Sequence, residues 1–232
     1  MTVEPSIGWG VVHLFYRLDR SRLDDAALAG KALAEVIGEF DEEPFQAIAF
    51  SVLGNRADFG VMTLGPDLDR LDRFRHRLES AVGPALVPAG SYVSLTELSE
   101  YSENMSDEYK EHRLHPKLPR KSVIAFYPMS KTRTPGANWF MLPFEERKEL
   151  MGGHARVGRK YAGRILQLIT GSTGLDDYEW GVTLFADDPV AIKEIVYEMR
   201  FDEVSAAYAD FGPFVVGLVL TPTELASRLG LA

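Results

Sequence analysis

Cysteine is absent from all 232 residues of the chain. That excludes disulfides, thiolate metal sites, iron-sulfur clusters and a cysteine nucleophile. It also suits a protein that meets peroxide, because thiolates oxidise readily. No uninterrupted apolar run approaches the roughly 18 residues of a membrane helix, and Met1-Thr2-Val3-Glu4-Pro5 lacks a basic stretch leading into an apolar core. The expected location is cytoplasmic, without membrane insertion. Basic residues are outnumbered, 25 against 34 acidic ones, for a net charge of -9 with both signs interleaved. Nucleic acid is therefore not an expected partner, and an anionic ligand must be held by a local cluster of cations. Phosphate-loop, dinucleotide-binding and nucleophile-elbow motifs are missing too. Gly171-Ser172-Thr173-Gly174 reads instead as a hairpin between strands.

What is present is ordinary globular composition, 46% hydrophobic and 25% charged, without low-complexity tracts. A chain of this size buries roughly 70% of its unfolded surface. It also repeats itself. Phe59-Gly-Val-Met-Thr-Leu64 and Trp180-Gly-Val-Thr-Leu-Phe185 are short strands, each followed by an acidic, proline-containing turn and an amphipathic helix. The helices carry Leu68, Leu71, Phe74 and Leu78 in one copy, and Ile192, Ile195, Val196 and Met199 in the other. Upstream, Leu14-Phe15-Tyr16 and Ala125-Phe126-Tyr127 lie in β-rich runs, followed by helices over about 24–40 and 144–162. Downstream, Ser91 to Leu98 and Phe214 to Leu220 close each copy with a strand. Each half reads β-α-β-β-α-β, the ferredoxin-like pattern. Residues 99–121, polar and marked by Pro116 and Pro119, are expected to be a surface linker.

None of His13, His76, His112, His115 and His154 forms a two-histidine metal motif on one helix. His76, among Arg73, Arg75 and Arg77, is a surface residue. His154 sits in Met151-Gly-Gly-His-Ala-Arg-Val-Gly-Arg159. Its glycines either break or cap a helix, or leave room for a bulky planar group. Tyr127 ends the strand Val123 to Phe126, with Pro128 stopping further pairing. It is either a core tyrosine or one that faces a cavity. Thr132 to Ala137 is either a lid or a plain connection.

Several long motifs occur in order: Tyr127-Pro-Met-Ser-Lys131, Asn138-Trp-Phe-Met-Leu142, and His154-x-x-x-Gly158-Arg-Lys-Tyr161-x-Gly163. They continue through Gln167-x-Ile-Thr-Gly-Ser172, Gly174-Leu-Asp-Asp177-x-Glu179-Trp-Gly181 and Met199-Arg-Phe-Asp-Glu-Val-Ser-Ala206, with Arg113-Leu-His-Pro116 upstream. Together they closely resemble the coproheme decarboxylases, the decarboxylating branch of the chlorite dismutase-like family. The likeness covers nearly the whole second half. In the first half it rests on the element pattern and Ser91-Tyr-Val-Ser94.

The resemblance implies an α+β fold: tandem ferredoxin-like repeats forming a dimeric α+β barrel-like subunit. Residues 1–112 would be a structural, oligomer-forming unit, 113–232 the porphyrin-binding unit, and the assembly a homopentamer. It further implies His154 as proximal iron ligand through a neutral imidazole nitrogen. Tyr127 would be the redox-active residue. On that resemblance peroxide would oxidise the ferric porphyrin, the oxidising equivalent would reach the tyrosine, and the radical would attack a propionate, which would leave as carbon dioxide. Two rounds turn Fe-coproporphyrin III (coproheme) into haem b through a three-propionate intermediate, so coproheme is substrate and redox cofactor at once.

Lys131 would steer the reacting propionate, with Tyr92, Arg113, Arg159 and Ser205 on propionates and Met129 beside Tyr127 on the distal side. Arg159 has a structural alternative, pairing with a nearby carboxylate. Gln167 stands where chlorite dismutases carry an arginine above the iron. The distal acid-base group is unassigned between His112 and His115, both of which also read as surface residues. A ferrochelatase supplying coproheme is the expected transient partner. Two rivals remain: a chlorite dismutase or haem peroxidase on the same scaffold, and a non-catalytic haem-binding or transfer protein.

Overall fold

The computed structural model describes residues 7–102 and 105–231. The first repeat runs β1 (Ile7–Leu18), α1 (Ala26–Phe40), β2 (Gln46–Val52), β3 (Phe59–Gly65), α2 (Leu68–Val82) and β4 (Leu86–Glu97). A connection carrying α3 (Asp107–Leu114) leads to β5 (Val123–Lys131), the hairpin β6 (Arg133–Thr134) and β7 (Ala137–Asn138), α4 (Phe144–Arg159) and β8 (Ile165–Gly171). Then follow β9 (Trp180–Ala186), α5 (Pro189–Met199), α6 (Glu203–Tyr208), β10 (Ala209–Phe211), β11 (Val215–Leu220) and α7 (Pro222–Arg228). With β6, β7, α6 and β10 set aside as insertions, each half is β-α-β-β-α-β, as the repeat predicts. The acidic turns that mark the repeats act as helix caps. Asp67 and Asp188 accept the backbone N–H of Asp69 and Val190 at the starts of α2 and α5.

The strand order is β2-β3-β1-β4 in one unit and β11-β5-β9-β8 in the other. Neither half-sheet keeps a free edge. β2 pairs with β11 (Ala49 opposite Leu220) and β4 with β8 (Leu95 opposite Gly171), all antiparallel. The ring of eight strands closes into a barrel, and β10 runs beside the far end of β5.

Closure buries both faces of the strands. In β1, Val11, His13 and Phe15 point into the barrel, where they meet Phe50, Met62, Phe126 and Leu168. Val12, Leu14 and Tyr16 point outward onto α1, α2 and α7. β3 is buried along its whole length for the same reason. A third core lies between the second half-sheet and α5. The two copies of the first helix differ. α1 buries six residues and α4 none, although α4 is the longer.

Four expectations need correction. The polar segment after β4 is not all linker: Ser106 caps α3 by accepting the N–H of Tyr109, and Asp107 and Glu108 favour the helix N-terminus. The boundary at 112/113 therefore cuts a helix. The helix expected over 144–162 ends at Arg159, where Tyr161 and Ala162 turn toward β8. β5 also runs through Pro128 to Lys131 rather than ending at Tyr127. Pro128 turns its backbone toward the place where β11 gives way to β10: its carbonyl accepts Gly212 N–H at 2.8 Å, and no N–H is needed there.

His13 is fully buried, stacked on Phe126 at 4.1 Å with Nε2 3.0 Å from Thr183 Oγ1. Burial pushes its pKa down to about 3. The unfolded chain thus binds a proton below about pH 6.5 that the folded barrel refuses, and stability must fall as pH drops through that range. The urea midpoint should decrease from pH 7 to pH 5, and the decrease should be smaller in His13→Gln; equal slopes would show that the imidazole contributes nothing.

Candidate functional site

The outward face of β5 carries Ala125, Tyr127, Met129 and Lys131 in period two. Across the ladder, Tyr127 lies opposite Val182, itself opposite Ile169; the next rows join Ala125, Leu184 and Gln167, and Met129, Trp180 and Gly171. Tyr127, Met129 and Gln167 therefore share one wall. The Tyr127 ring stacks on Phe214 at 4.3 Å and meets Phe211 edge-on at 5.7 Å. Burial pushes its phenol up to about 12, and among the described residues nothing hydrogen-bonds the hydroxyl.

Lys131 is buried with Nζ 4.5 Å from the centre of the Trp139 ring. Burial pulls the ammonium down to about 8, against the opposing pull of the Asp202 and Glu179 carboxylates. Glu179 is itself buried, accepting Lys131 N–H at 2.8 Å and pairing with Arg133. The segment after Lys131 is the β6–β7 hairpin, tied by Thr132 Oγ1 donating to Ala137 O at 2.7 Å.

Across from this wall, α4 runs unbroken through Gly152 and Gly153, so the glycines neither break nor cap it. His154 Nδ1 is 2.7 Å from Asp202 Oδ2. A carboxylate accepts, so Nδ1 carries the proton, which in the neutral ring leaves the Nε2 lone pair free for a ligand. Asp202 caps α6 by accepting Ser205 N–H at 3.3 Å. The glycines beside His154 answer to no packing demand of the protein. A Cβ at Gly152 would meet nothing within 4 Å, and at Gly158 only Met199 Cε at 3.6 Å.

This donor set fits an iron porphyrin. One imidazole is a monodentate ligand for a metal whose other donors arrive with it, the carboxylate behind it fixes its tautomer and raises its basicity, and the glycine surface admits a flat ring.

Of the remaining expected residues, Ser205 is half-buried beside Asp202. Arg159 is exposed in the last turn of α4, and among the described residues no carboxylate pairs with it. Arg113 reaches over from α3, its NH1 3.5 Å from the Gln167 carbonyl. His115 is turned elsewhere: Nδ1 is 2.6 Å from Glu111 and its ring lies 5.1 Å from that of Trp9. His112 is exposed in the same helix. Tyr92 does not join the site. It lies inside the barrel against Phe126 with its hydroxyl bonded to Ser172, because past the β-bulge at Pro88–Gly90 the strand β4 turns Tyr92 inward. Asp202, given no role by sequence reasoning, is brought to the site by its bond to His154. Its signal was an acidic residue three before Ser205, the cap of a short helix.

The family model for chlorite dismutase matches residues 26–220, and the chain belongs to that family. Within it, the chain is 41% identical to a coproheme decarboxylase of Staphylococcus saprophyticus, covering 97% of this chain and 96% of that protein. It is 43% identical to the Staphylococcus carnosus coproheme decarboxylase, over 94% of each. A putative heme-binding protein of Natronomonas pharaonis is 43% identical over 95% of this chain, which spans only 40% of that longer protein. Among solved structures, a heme-binding protein of Thermus thermophilus superposes with a TM-score of 0.91 at 40% identity, covering 98% and 97% of the two chains. The tandem ferredoxin-like α+β fold is that of the family. Among the described residues no helix is long and apolar enough to cross a membrane.

Removing the Asp202 carboxylate should weaken the histidine as a ligand. Asp202→Asn keeps a helix-capping side chain but should lower iron-porphyrin affinity by about 10–100-fold in a Soret titration. Unchanged affinity and spectrum would show that Asp202 does not tune His154.

Proposed function

We propose that this chain decarboxylates coproheme: it converts two of the four propionates of Fe-coproporphyrin III to vinyl groups, one after the other, and yields haem b. The observation that carries the reading is the grouping of Tyr127 and Lys131 on one wall, with Lys131 close enough to Asp202 to feel the carboxylate that orients His154. The relatives named coproheme decarboxylase, matched over nearly full length, support it.

Each round removes carbon dioxide, a proton and two electrons from a propionate, and hydrogen peroxide takes up the electrons with two protons to become two waters. His154 would hold the iron through Nε2, and the bound iron porphyrin supplies the reaction with peroxide. Tyr127 then gives up an electron together with its hydroxyl proton. The oxyl radical takes a hydrogen atom from the propionate; carbon dioxide leaves, and the second electron passes to the oxidant. Burial keeps the phenol protonated at neutral pH, and the Phe214 stack shields the ring from water. Lys131 holds the reacting carboxylate where low dielectric strengthens the pairing. Arg113, Arg159 and Ser205 hold other propionates, localised donors that a chain of net charge -9 needs for a tetra-anionic ligand. Met129 lines the wall one row from Tyr127. Gln167 offers a neutral amide rather than a cation, which favours this reaction over chlorite chemistry. A cytoplasmic homopentamer receiving coproheme from a ferrochelatase follows from the family resemblance.

The test adds coproheme to the metal-free protein, titrates hydrogen peroxide and follows product masses. Stepwise loss of two carboxyl groups is expected, and unchanged coproheme would reject the reading. Tyr127→Phe should bind coproheme within about twofold of the parent and lose at least 100-fold in turnover; substantial turnover would reject the radical role. Lys131 is charged below its pKa and neutral above it, so kcat/KM for coproheme should fall as pH rises through about 8. Lys131→Met should lack that alkaline limb, and a limb that persists belongs to another group.

A further inference from the structure

Arg113 stands outside the second unit's framework, on α3, yet its guanidinium reaches the Gln167 carbonyl of β8. A long side chain at a helix end has no fixed direction of its own, so something must hold α3. The first unit does so at three points. Thr96 of β4 accepts Trp9 N–H at 2.7 Å and donates to the Leu114 carbonyl at 2.6 Å, linking β1, β4 and the end of α3 through one hydroxyl. Gln46 of β2 clamps the residues that follow: its Nε2 donates to Pro116 O at 3.0 Å, and its Oε1 accepts Leu118 N–H at 2.7 Å. Gly8 lets the helix end approach β1 so closely that a Cβ there would lie 2.3 Å from the Leu114 carbonyl oxygen. A backbone contact that short leaves no room for an added methyl group.

We infer that Thr96 and Gln46 are positioning residues for Arg113: the first unit takes part in the site by fixing the end of α3 so that this guanidinium meets a substrate carboxylate beside Gln167. The inference rests on the reading of Arg113 as a propionate ligand given above. It extends the site into β2 and β4 of the first unit. Preorganisation is the physical content, because a guanidinium already aimed at its carboxylate loses less entropy on binding.

The test is a double-mutant cycle read by Soret titration of the metal-free protein with ferric coproheme, with thermal unfolding followed in parallel. Arg113→Ala should weaken binding about 10-fold, the size expected for one charge-assisted hydrogen bond. Thr96→Val is isosteric and should weaken it severalfold, Thr96→Ser should restore it to within about twofold, and Thr96→Val should cost nothing further once Arg113 is alanine. Gln46→Ala should show the same non-additivity, and serves as the readout if Thr96→Val does not fold. If Arg113→Ala leaves affinity unchanged, the reading of Arg113 as a ligand fails. If Arg113→Ala weakens binding but Thr96→Val and Gln46→Ala do not, or if their losses add in full, the positioning inference is overturned while that reading stands.

Discussion

Everything in this molecule hangs on the two seams where one unit's outer strands pair with the other's. A four-stranded sheet with helices on one side leaves its other side and both edges bare. Pairing β2 with β11 and β4 with β8 covers all of them at once: the bare sides become the barrel interior and the edges disappear. Strand residues of both parities must then be compatible with burial. Polar groups in the interior pair with one another, as His13 does with Thr183 and Thr170 with Ser94. The site depends on the same seams. Gln167 lies on the strand joined to β4, and Arg113 reaches it from a helix seated on β1 and β4.

Much of the fold was legible because its signals are local. Repeated strand-turn-helix blocks with acidic turns placed β3, β9 and the starts of α2 and α5 within a residue or two. The misreadings share one cause, a local rule overruled by distant pairing. Pro128 does end strands when a neighbour needs its N–H, but here the neighbour changes at that residue. Polar composition does mark linkers, but Ser106 with Asp107 and Glu108 is equally the start of a helix. Tyr92 was placed on a propionate by resemblance alone, yet register fixes its direction, and register between β1, β4 and β8 is not written in any short stretch of sequence.

The site was legible in a different way. His154 and Tyr127 were ambiguous by spacing and, with Lys131, became candidates through the order of the motifs around them. Asp202 lay inside a quoted motif without a role, because its partner is 48 residues away and only the fold brings the two within 2.7 Å. Glu179 and Trp139, which set the surroundings of Lys131, were hidden for the same reason. Physical chemistry assigns such residues work only once the carboxylate, ring or ammonium they face is known.

The first helix of the leading unit buries six residues, five of them with side chains, and its counterpart in the trailing unit buries none. A duplicated architecture has been divided between holding and handling. Sequence variation should accordingly strike the halves in different currencies. Changes in the packed face of α1 lower the folded fraction and hence the quantity of protein that survives cellular quality control. Changes along α4, which has no buried residue, should cost less abundance, so a screen that measures only protein level would pass over them.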